Sequence, residues 1–213
     1  MIHSDDTGLV LPPKVAQNQI VIIPIIKKND DEKALKDKVH EIAATLKSAG
    51  LRCTVDDRDN HNPGFKFNAW ELKGTPVRIE LGAKDMEKQE VKIAIRHSGA
   101  KSQMKWDELK ESMVGLMDTI QTDMFEKAKK AREEHLNHVT NWEEFMESLS
   151  KKNICLAPWC NTVKCEENVK DQSKEESIAA MEAANDDEVV LTGSAKTLCI
   201  PFEMGKQDFS EED

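Results

Sequence analysis

The sequence predicts an α/β domain built on a mixed β-sheet, followed by a small α+β module. Over residues 16–130, apolar runs of strand length alternate with segments whose apolar residues recur at helical spacing, in the order βαβαββα. Beyond residue 135, apolar residues occur only in short patches around a long acidic stretch. We therefore divide the chain into a lead-in at 1–15, a first domain at 16–130 and a second module at 131–213.

The first half of the domain opens with a buried strand at 19–26. A helix over 31–49 follows, because its apolar residues recur at i, i+4, i+7 and i+11 and so form one face. Those apolar residues are Leu35, Val39, Ile42 and Leu46. Gly50 ends this helix, as glycine commonly does, and a short strand at 51–55 comes next.

The second half opens with a helix over 62–74, whose first residues are Asn and Pro. Asparagine suits the N-cap and proline the first helical position, and a glycine ends the segment. Strands at 76–81 and 91–96 follow, the first with strict apolar/polar alternation. A long helix over 107–131 closes the domain, again with apolar residues at helical spacing.

The second module starts with one short amphipathic helix. Its apolar residues are Trp142, Phe145, Met146 and Leu149. Residues 166–190 are acidic and poor in large apolar side chains, which predicts a mobile loop. Two flanking apolar patches predict that Cys155 and Cys199 face a core, and Cys53 in its strand reads as a buried thiol.

Charge is distributed unevenly along the 213 residues, whose net charge is −10. Residues 1–165 hold 26 acidic and 26 basic side chains, whereas 166–213 hold 14 acidic and 4 basic ones. Positions 52–105 carry 11 Lys and Arg against 8 Asp and Glu. Because a phosphate backbone responds to local potential, the acidic tail does not exclude a nucleic-acid partner for the first domain.

Several protein classes are excluded by composition. No apolar run approaches the ~18–20 residues that span a bilayer, and the amino-terminal residues lack the pattern of a signal peptide. Five cysteines without an export signal favour reduced thiols or metal ligands over disulfides. No P-loop, H-E-x-x-H or Ser/His/Asp pattern occurs, so an enzyme acting on a small molecule has little support.

The densest polar cluster lies between residues 57 and 85, and Arg96 follows on the neighbouring strand. Phe67 and Glu71 are four apart on the predicted helix and share a face, while Arg78 and Glu80 share one side of the next strand. An aromatic ring, carboxylates and arginines together suit unpaired bases of a single-stranded nucleic acid. The alternative is that Arg78 and Glu80 form ion pairs on a solvated face. Asp56 and Asp57 read as turn formers, and we expect His61 to be exposed.

Cysteine spacing gives one further candidate site. Cys160 and Cys165 have a C-x4-C spacing compatible with half of a tetrahedral zinc site.

The segment 57–82, DRDNHNPGFKFNAWELKGTPVRIELG, closely resembles the anticodon-binding domain of prolyl-tRNA synthetases, class IIa enzymes, of the archaeal/eukaryotic cytosolic type. The resemblance continues upstream in 3–16, which looks like the exit from the catalytic domain. Downstream, 156–160, 165–166 and 195–202 are similar to the C-terminal zinc-binding module of that family, here incomplete.

The resemblance implies a function in translation. The family attaches proline to tRNA(Pro) with ATP, through a class II catalytic domain whose motifs lie upstream of the residues present here. We therefore expect no catalytic residues in this chain, no activity of the chain alone, and ATP and Mg²⁺ binding only through that other domain. The implied partner is tRNA(Pro), with no DNA and no membrane, in the cytoplasm. A homodimer is implied for the full-length enzyme only. The alternative is a non-catalytic, stand-alone tRNA-binding paralogue.

The resemblance also implies particular site residues. Proline anticodons share two guanines, which are read by acceptors for N1–H and N2–H2 and by donors to O6. The predicted anticodon-binding residues are Arg58, Lys66, Phe67, Glu71, Arg78, Glu80 and Arg96. The family holds zinc with four cysteines, of which Cys160 and Cys165 match the first pair and the second pair is missing. We therefore expect no tightly bound zinc.

Overall fold

A mixed sheet organises the first half of the protein, as predicted, and it has five strands. The computed structural model describes residues 3–183 and 193–201. It divides into two units, Met1–Lys127 and Ala128–Asp213, each described here by itself. Within the described residues, no helix combines the length and the apolar character that crossing a bilayer requires.

The elements of the first unit follow one another in a simple order. They are β1 (Ser4–Asp5), β2 (Gly8–Leu9), β3 (Ile20–Ile25), α1 (Glu32–Ser48), β4 (Cys53–Val55), α2 (Pro63–Leu72), β5 (Val77–Gly82), α3 (Ala83–Lys88), β6 (Glu90–Ile95), β7 (Lys101–Lys105) and α4 (Trp106–Glu134). The sheet order is β4-β3-β5-β6-β7, with β3 parallel to β4 and β5, and with β5, β6 and β7 antiparallel in turn.

One face of the sheet carries the core. Alternate residues of β5 and β6 point to this face, as Val77, Ile79 and Ile93 show, and they pack against apolar stripes of α1 and α4. On α1 the predicted stripe is confirmed, because the residues from Leu35 to Leu46 that define it are buried. Cys53 is buried in the same core, as predicted.

The helix α2 begins where the Asn-Pro signal predicts. Asn62 Oδ1 accepts a hydrogen bond from Phe65 N at 2.8 Å, and Pro63 occupies the first turn. The helix ends at Leu72, and Gly74 follows with a φ of +70°. Glu71 of this helix accepts a hydrogen bond from Arg78 of β5, whose side chain points away from the core, so α2 lies on the opposite face of the sheet from the core helices.

Two elements of the domain escaped prediction. The six-residue α3 has no apolar periodicity, and it begins where Asp85 Oδ2 accepts a hydrogen bond from Gly82 N at 3.0 Å. The edge strand β7 reads KSQMK, so it lacks the apolar alternation by which strands are recognised. The observed order therefore has an extra helix and an extra strand between β5 and α4.

The lead-in packs against α2 within the first unit. Strands β1 and β2 form a two-stranded hairpin, and Leu11 N donates to Gly74 O at 3.2 Å. A Cβ on Gly8 would lie 2.6 Å from Leu72 Cα, and one on Gly74 would lie 2.6 Å from Leu9 Cβ. Both glycines therefore permit a backbone approach that a side chain would block.

We expect Gly74→Ala to lower the free energy of unfolding by about 2–3 kcal/mol, because it combines a left-handed conformation with a steric clash. Gly50 is the matched control, since it also has a positive φ (+83°) but has no atom within 4 Å of the position that an alanine methyl group would take. Gly50→Ala should cost only about 1 kcal/mol. Urea denaturation of both variants checks this, and equal losses would contradict the docking of the hairpin.

The second unit is smaller. It contains β8 (Leu136–His138), α5 (Trp142–Ser150), β9 (Ile154–Leu156) and α6 (Val163–Ala183), with β8 parallel to β9. The predicted short amphipathic helix is confirmed as α5. Its N-cap Asn141 accepts from Glu144 N at 2.9 Å.

The mobile loop predicted at 166–190 is wrong over its described part, because residues up to Ala183 form α6. The helix buries small side chains instead of large ones. Ser177 Oγ lies 2.9 Å from Gly193 O, and Ser173 Oγ accepts from Ala195 N at 2.9 Å. Serines at i and i+4 thus let a returning segment lie close to the helix, a packing that a search for large apolar residues misses. The rest of the predicted loop, 184–190, lies outside the described residues.

Cys199 is exposed, so the expectation that it faces a core is wrong. Its neighbours Leu198 and Ile200 are exposed as well, and this segment has no regular secondary structure to hold it against a core. Cys155 is half-buried in β9, with its Sγ 3.9 Å from Phe145 O.

Candidate nucleic-acid interface

The polar face of the sheet carries two rows of side chains that cross three strands. Pairing aligns Arg78 with Ala94 and Ala94 with Lys101. The next row aligns Glu80 with Lys92 and Lys92 with Gln103. Because residues directly opposite in an antiparallel pair share a face, both rows lie on the side away from the core. We call this surface, together with the adjoining side of α2, the polar face.

Arg78 is the centre of the polar face. Its Nη1 donates to Glu71 Oε1 at 2.7 Å and its Nε donates to Glu80 Oε1 at 3.0 Å. Its guanidinium carbon lies 4.1 Å from the centroid of the Phe67 ring, a cation–π distance. The side chain is only 10% exposed, so these contacts fix its orientation.

The sequence allowed two interpretations of this cluster, a site for unpaired bases and an ion pair on a solvated face, and the structure has features of both. The ion pair between Arg78 and Glu80, which the second interpretation predicts, is present. Arg78 also contacts Phe67 and Glu71 of α2. An ion pair on a solvated face does not need these two contacts. Each carboxylate is still partly exposed and keeps an acceptor oxygen that Arg78 does not use. The cluster therefore offers an aromatic face and two oriented acceptors side by side.

A shallow open pocket adjoins this cluster. It is lined by residues of α2, β5, β6 and the β6–β7 turn, among them Trp70, Glu71, Arg78, Ala94, Arg96 and Lys101. The small side chain of Ala94 leaves space between Arg78 and Lys101. A second depression beside it is lined by Glu80, Lys92, Lys101 and Gln103, among others.

Lys92, Lys101 and Gln103 were missed by sequence reasoning. All three lie on the polar face, and Lys92 also lies 3.6 Å from Asp85 through its Nζ. The sequence held a signal for these side chains, because Lys101, Gln103 and Lys105 occupy every second position and therefore share one face of a strand. It was overlooked because β7 itself was not predicted.

Arg96, a predicted anticodon-binding residue, contacts the hairpin formed by β1 and β2. Its Nη1 and Nη2 donate to the two oxygens of Asp5 at 2.7 and 2.6 Å, and its Nε donates to Glu71 O at 3.3 Å. The side chain is largely buried. The hydrogen bond with Arg96 is the main cause that lowers the pKa of Asp5, so the pair is ionised.

The turn before α2 forms a second cluster, beneath the polar face. Asp56 is buried, and its carboxylate accepts hydrogen bonds from Arg58 Nε and Nη2 at 2.7 and 2.8 Å and from Trp70 Nε1 at 2.7 Å. Lys66 is buried too and donates to Asp56 O at 3.2 Å. Asp56 is thus the buried anchor of this turn, a role that goes beyond the turn former that the sequence predicts. Lys66 lies beneath the surface, where it supports the turn.

Electrostatics explain how a carboxylate remains charged in this position. Burial favours the neutral acid, but hydrogen bonds from Arg58 and Trp70 and the nearby charges of Arg58 and Lys66 outweigh it, so the pKa of Asp56 is lowered from 3.8 to about 2. Asp57 accepts from His40 instead, and this hydrogen bond is the main cause that lowers its pKa.

A stacked aromatic pair lies at the start of α2. The rings of His61 and Phe65 are 4.2 Å apart and nearly parallel, at 22°. Phe65 is 51% exposed, whereas His61 is half-buried by the stack, so its predicted exposure is only partial.

The two cysteines of the predicted half site are neighbours. Cys160 is exposed and Cys165 is half-buried at the start of α6, and their side chains are within hydrogen-bonding distance of each other. Among residues 3–183 and 193–201, no group of three or more His, Cys, Asp or Glu side chains could hold a metal ion. Two thiols do not make a tetrahedral site, so these donors do not fit a structural zinc. The expectation of no tightly bound zinc stays a prediction.

Comparisons with known proteins identify both regions of the chain. A family model described as an anticodon binding domain matches residues 19–116, and one described as prolyl-tRNA synthetase, C-terminal, matches residues 142–213. A putative proline–tRNA ligase of Saccharomyces cerevisiae is 41% identical over 207 residues, which are 95% of this chain and 30% of that protein. The cytoplasmic proline–tRNA ligase of Arabidopsis thaliana is 40% identical over 95% of this chain and 36% of its own length.

A solved structure extends the similarity to three dimensions. The prolyl-tRNA synthetase of Cryptosporidium parvum, complexed with L-proline and AMP, superposes with a TM-score of 0.79 at 36% identity. The match covers 95% of this chain and 40% of that one, so the chain spans about a third of the length of its relatives. The resemblance of the segment 57–82 is thereby confirmed. The chain belongs to the prolyl-tRNA synthetase family and corresponds to its anticodon-binding domain and C-terminal region.

Proposed function

We propose that this chain is the tRNA-recognition part of a proline–tRNA ligase, and that its polar face binds the anticodon of tRNA(Pro). The observation that carries the proposal is the cluster around Arg78, which brings Phe67, Glu71 and Glu80 into contact with one guanidinium. The names of the relatives support the ligase assignment, and none of them favours a stand-alone paralogue.

Guanine chemistry matches this cluster. Guanine presents N1–H and N2–H2 donors on one edge, whereas adenine has an acceptor at N1 and no amino group at C2. The oxygens of Glu71 and Glu80 that Arg78 does not contact can accept from those donors, and Phe67 offers a face on which a base can stack. Lysines at 92 and 101 lie at the edges of the same pockets and supply donors for O6 or for phosphate. Two carboxylates suit two guanines.

The remaining predicted residues take supporting roles in this proposal. Arg58 and Lys66 hold the Asp56 turn, so they set the position of α2. Arg96 holds the end of α2. The catalytic step, with its ATP and Mg²⁺, belongs to the ligase as a whole, and we expect this chain alone not to attach proline. The cytoplasmic location and the homodimer of the full-length enzyme remain expectations.

A binding experiment tests the proposal. We expect this chain to bind a fluorescent stem-loop with the proline anticodon at least 10-fold more tightly than one with adenine at both guanine positions, measured by anisotropy at low salt. A good bidentate contact gives about 1–3 kcal/mol of discrimination, or roughly 5- to 150-fold. Binding should weaken as salt rises, because phosphate contacts release counterions. Equal affinity for both stem-loops would show that the polar face does not read the anticodon.

A further inference from the structure

The N-terminal hairpin of β1 and β2 is seated against the end of the helix that carries Glu71. Gly8 approaches Leu72 so closely that a Cβ would lie 2.6 Å from Leu72 Cα. Leu9 is in the same kind of contact with Gly74, and Leu11 N donates to Gly74 O at 3.2 Å. The hairpin and the last turn of α2 therefore form one packed unit, although they are far apart in the sequence.

One arginine joins the hairpin to that turn by hydrogen bonds. Arg96 donates to both oxygens of Asp5, at 2.6 and 2.7 Å, and to Thr7 Oγ1 at 2.9 Å. On its other side, Arg96 Nε donates to Glu71 O at 3.3 Å. Glu71 O also accepts from Gly74 N at 2.9 Å, so Arg96 adds a second donor to this carbonyl. A cation is favourable at the end of a helix, so this contact stabilises the turn that carries the Glu71 side chain.

Asp5 is also held by hydrogen bonds from Thr7, in addition to those from Arg96. Its Oδ1 accepts from Thr7 N at 2.9 Å and from the Thr7 hydroxyl at 2.7 Å. The hydroxyl thus donates to Asp5 and accepts from Arg96, which closes a ring of three residues. A planar guanidinium paired with both carboxylate oxygens fixes orientation as well as distance.

These contacts form a continuous path to the polar face. Asp5 and Thr7 hold Arg96, Arg96 holds the Glu71 backbone, and the Glu71 side chain meets Arg78 at 2.7 Å. We propose that Asp5 and Thr7 are positioning residues for base discrimination, acting through Arg96 on the orientation of Glu71. This inference rests on the proposed function, and it assigns a role in reading guanine to a hairpin that is packed against the last turn of α2.

The test compares Asp5→Asn with its neighbour Asp6→Asn, an exposed position in the same hairpin with the same change of charge. The readout is the ratio of the dissociation constants for the adenine and proline stem-loops. We expect Asp5→Asn to reduce that ratio about 5- to 10-fold and Asp6→Asn to leave it unchanged. Thr7→Val, which removes the hydroxyl and keeps every charge, should reduce it in the same direction. Thermal melting confirms that each variant is folded.

A double variant separates positioning from a general loss of stability. In Asp5→Asn/Glu71→Ala, the ratio should be no lower than in Glu71→Ala alone, because the hairpin acts only through Glu71. An unchanged ratio in Asp5→Asn and Thr7→Val, equal losses for both stem-loops, or losses that multiply in the double variant would each overturn the inference. If the unmodified chain itself failed to discriminate, the proposed function would fall first, and this inference with it.

Discussion

Glu71→Ala is expected to weaken binding of the proline anticodon stem-loop by about 10- to 100-fold, which corresponds to the ~1–3 kcal/mol of a good bidentate base contact. Binding of the stem-loop with adenine in place of both guanines should change little, because adenine lacks the N1–H and N2–H2 donors that guanine presents to this carboxylate. Removing Glu71 also leaves Arg78 paired with Glu80, so the polar face keeps its arginine in place. Anisotropy titrations with both stem-loops check the prediction.

The control for this variant is Glu41→Ala. Glu41 is also an exposed glutamate on a helix and pairs with Lys38 at 2.9 Å, but it lies on α1 and is remote from the polar face. It makes the same change in net charge, so any effect of overall charge on RNA binding appears in both variants. If Glu71→Ala lowers the affinity for the two stem-loops equally, Glu71 is a structural residue and the reading of guanine lies elsewhere.

Asp56→Ala is expected to lower the free energy of unfolding by about 2–4 kcal/mol at pH 7, because it removes a buried carboxylate that accepts hydrogen bonds from Arg58 and Trp70. The side chain of Asp56 is 2% exposed. Its removal deprives the buried Lys66 of a nearby opposite charge and leaves Trp70 Nε1 without its acceptor. Urea denaturation measures the loss. Asp57→Ala is the matched control, since Asp57 is adjacent but partly exposed, and it should cost less than about 1 kcal/mol.

The pH dependence of stability gives a second readout for Asp56. Its pKa is lowered from 3.8 to about 2 on folding, so its stabilising contribution is complete above pH 3.8 and is lost as the pH falls toward 2. That difference in pKa corresponds to about 2 kcal/mol. The gap in stability between the unmodified chain and Asp56→Ala should therefore narrow between pH 4 and pH 2. A gap that stayed constant over this range would show that Asp56 is not ionised in the folded protein.

Local patterns predicted much of the first unit. Helical spacing located α1 and α4, and the Asn-Pro pair located the start of α2, because each signal depends on residues that are close in the chain. For the same reason the sequence predicted that Phe67 and Glu71 share one face of α2 and that Arg78 and Glu80 share one side of β5. Elements without such a pattern were not predicted. Strand β7 is largely polar, and α6 buries serines instead of large apolar side chains.

The sequence by itself determined the order of the main strands and helices, the family, and the side chains that share a face within α2 and within β5. Only the tertiary structure decided that Arg78, Ala94 and Lys101 stand in one row, that Asp56 and Lys66 are buried, and that Asp5 meets Arg96 across 91 positions of the chain. The physical reason is that strand register and the docking of a distant hairpin depend on packing among all the elements together. No periodicity within a single segment encodes them.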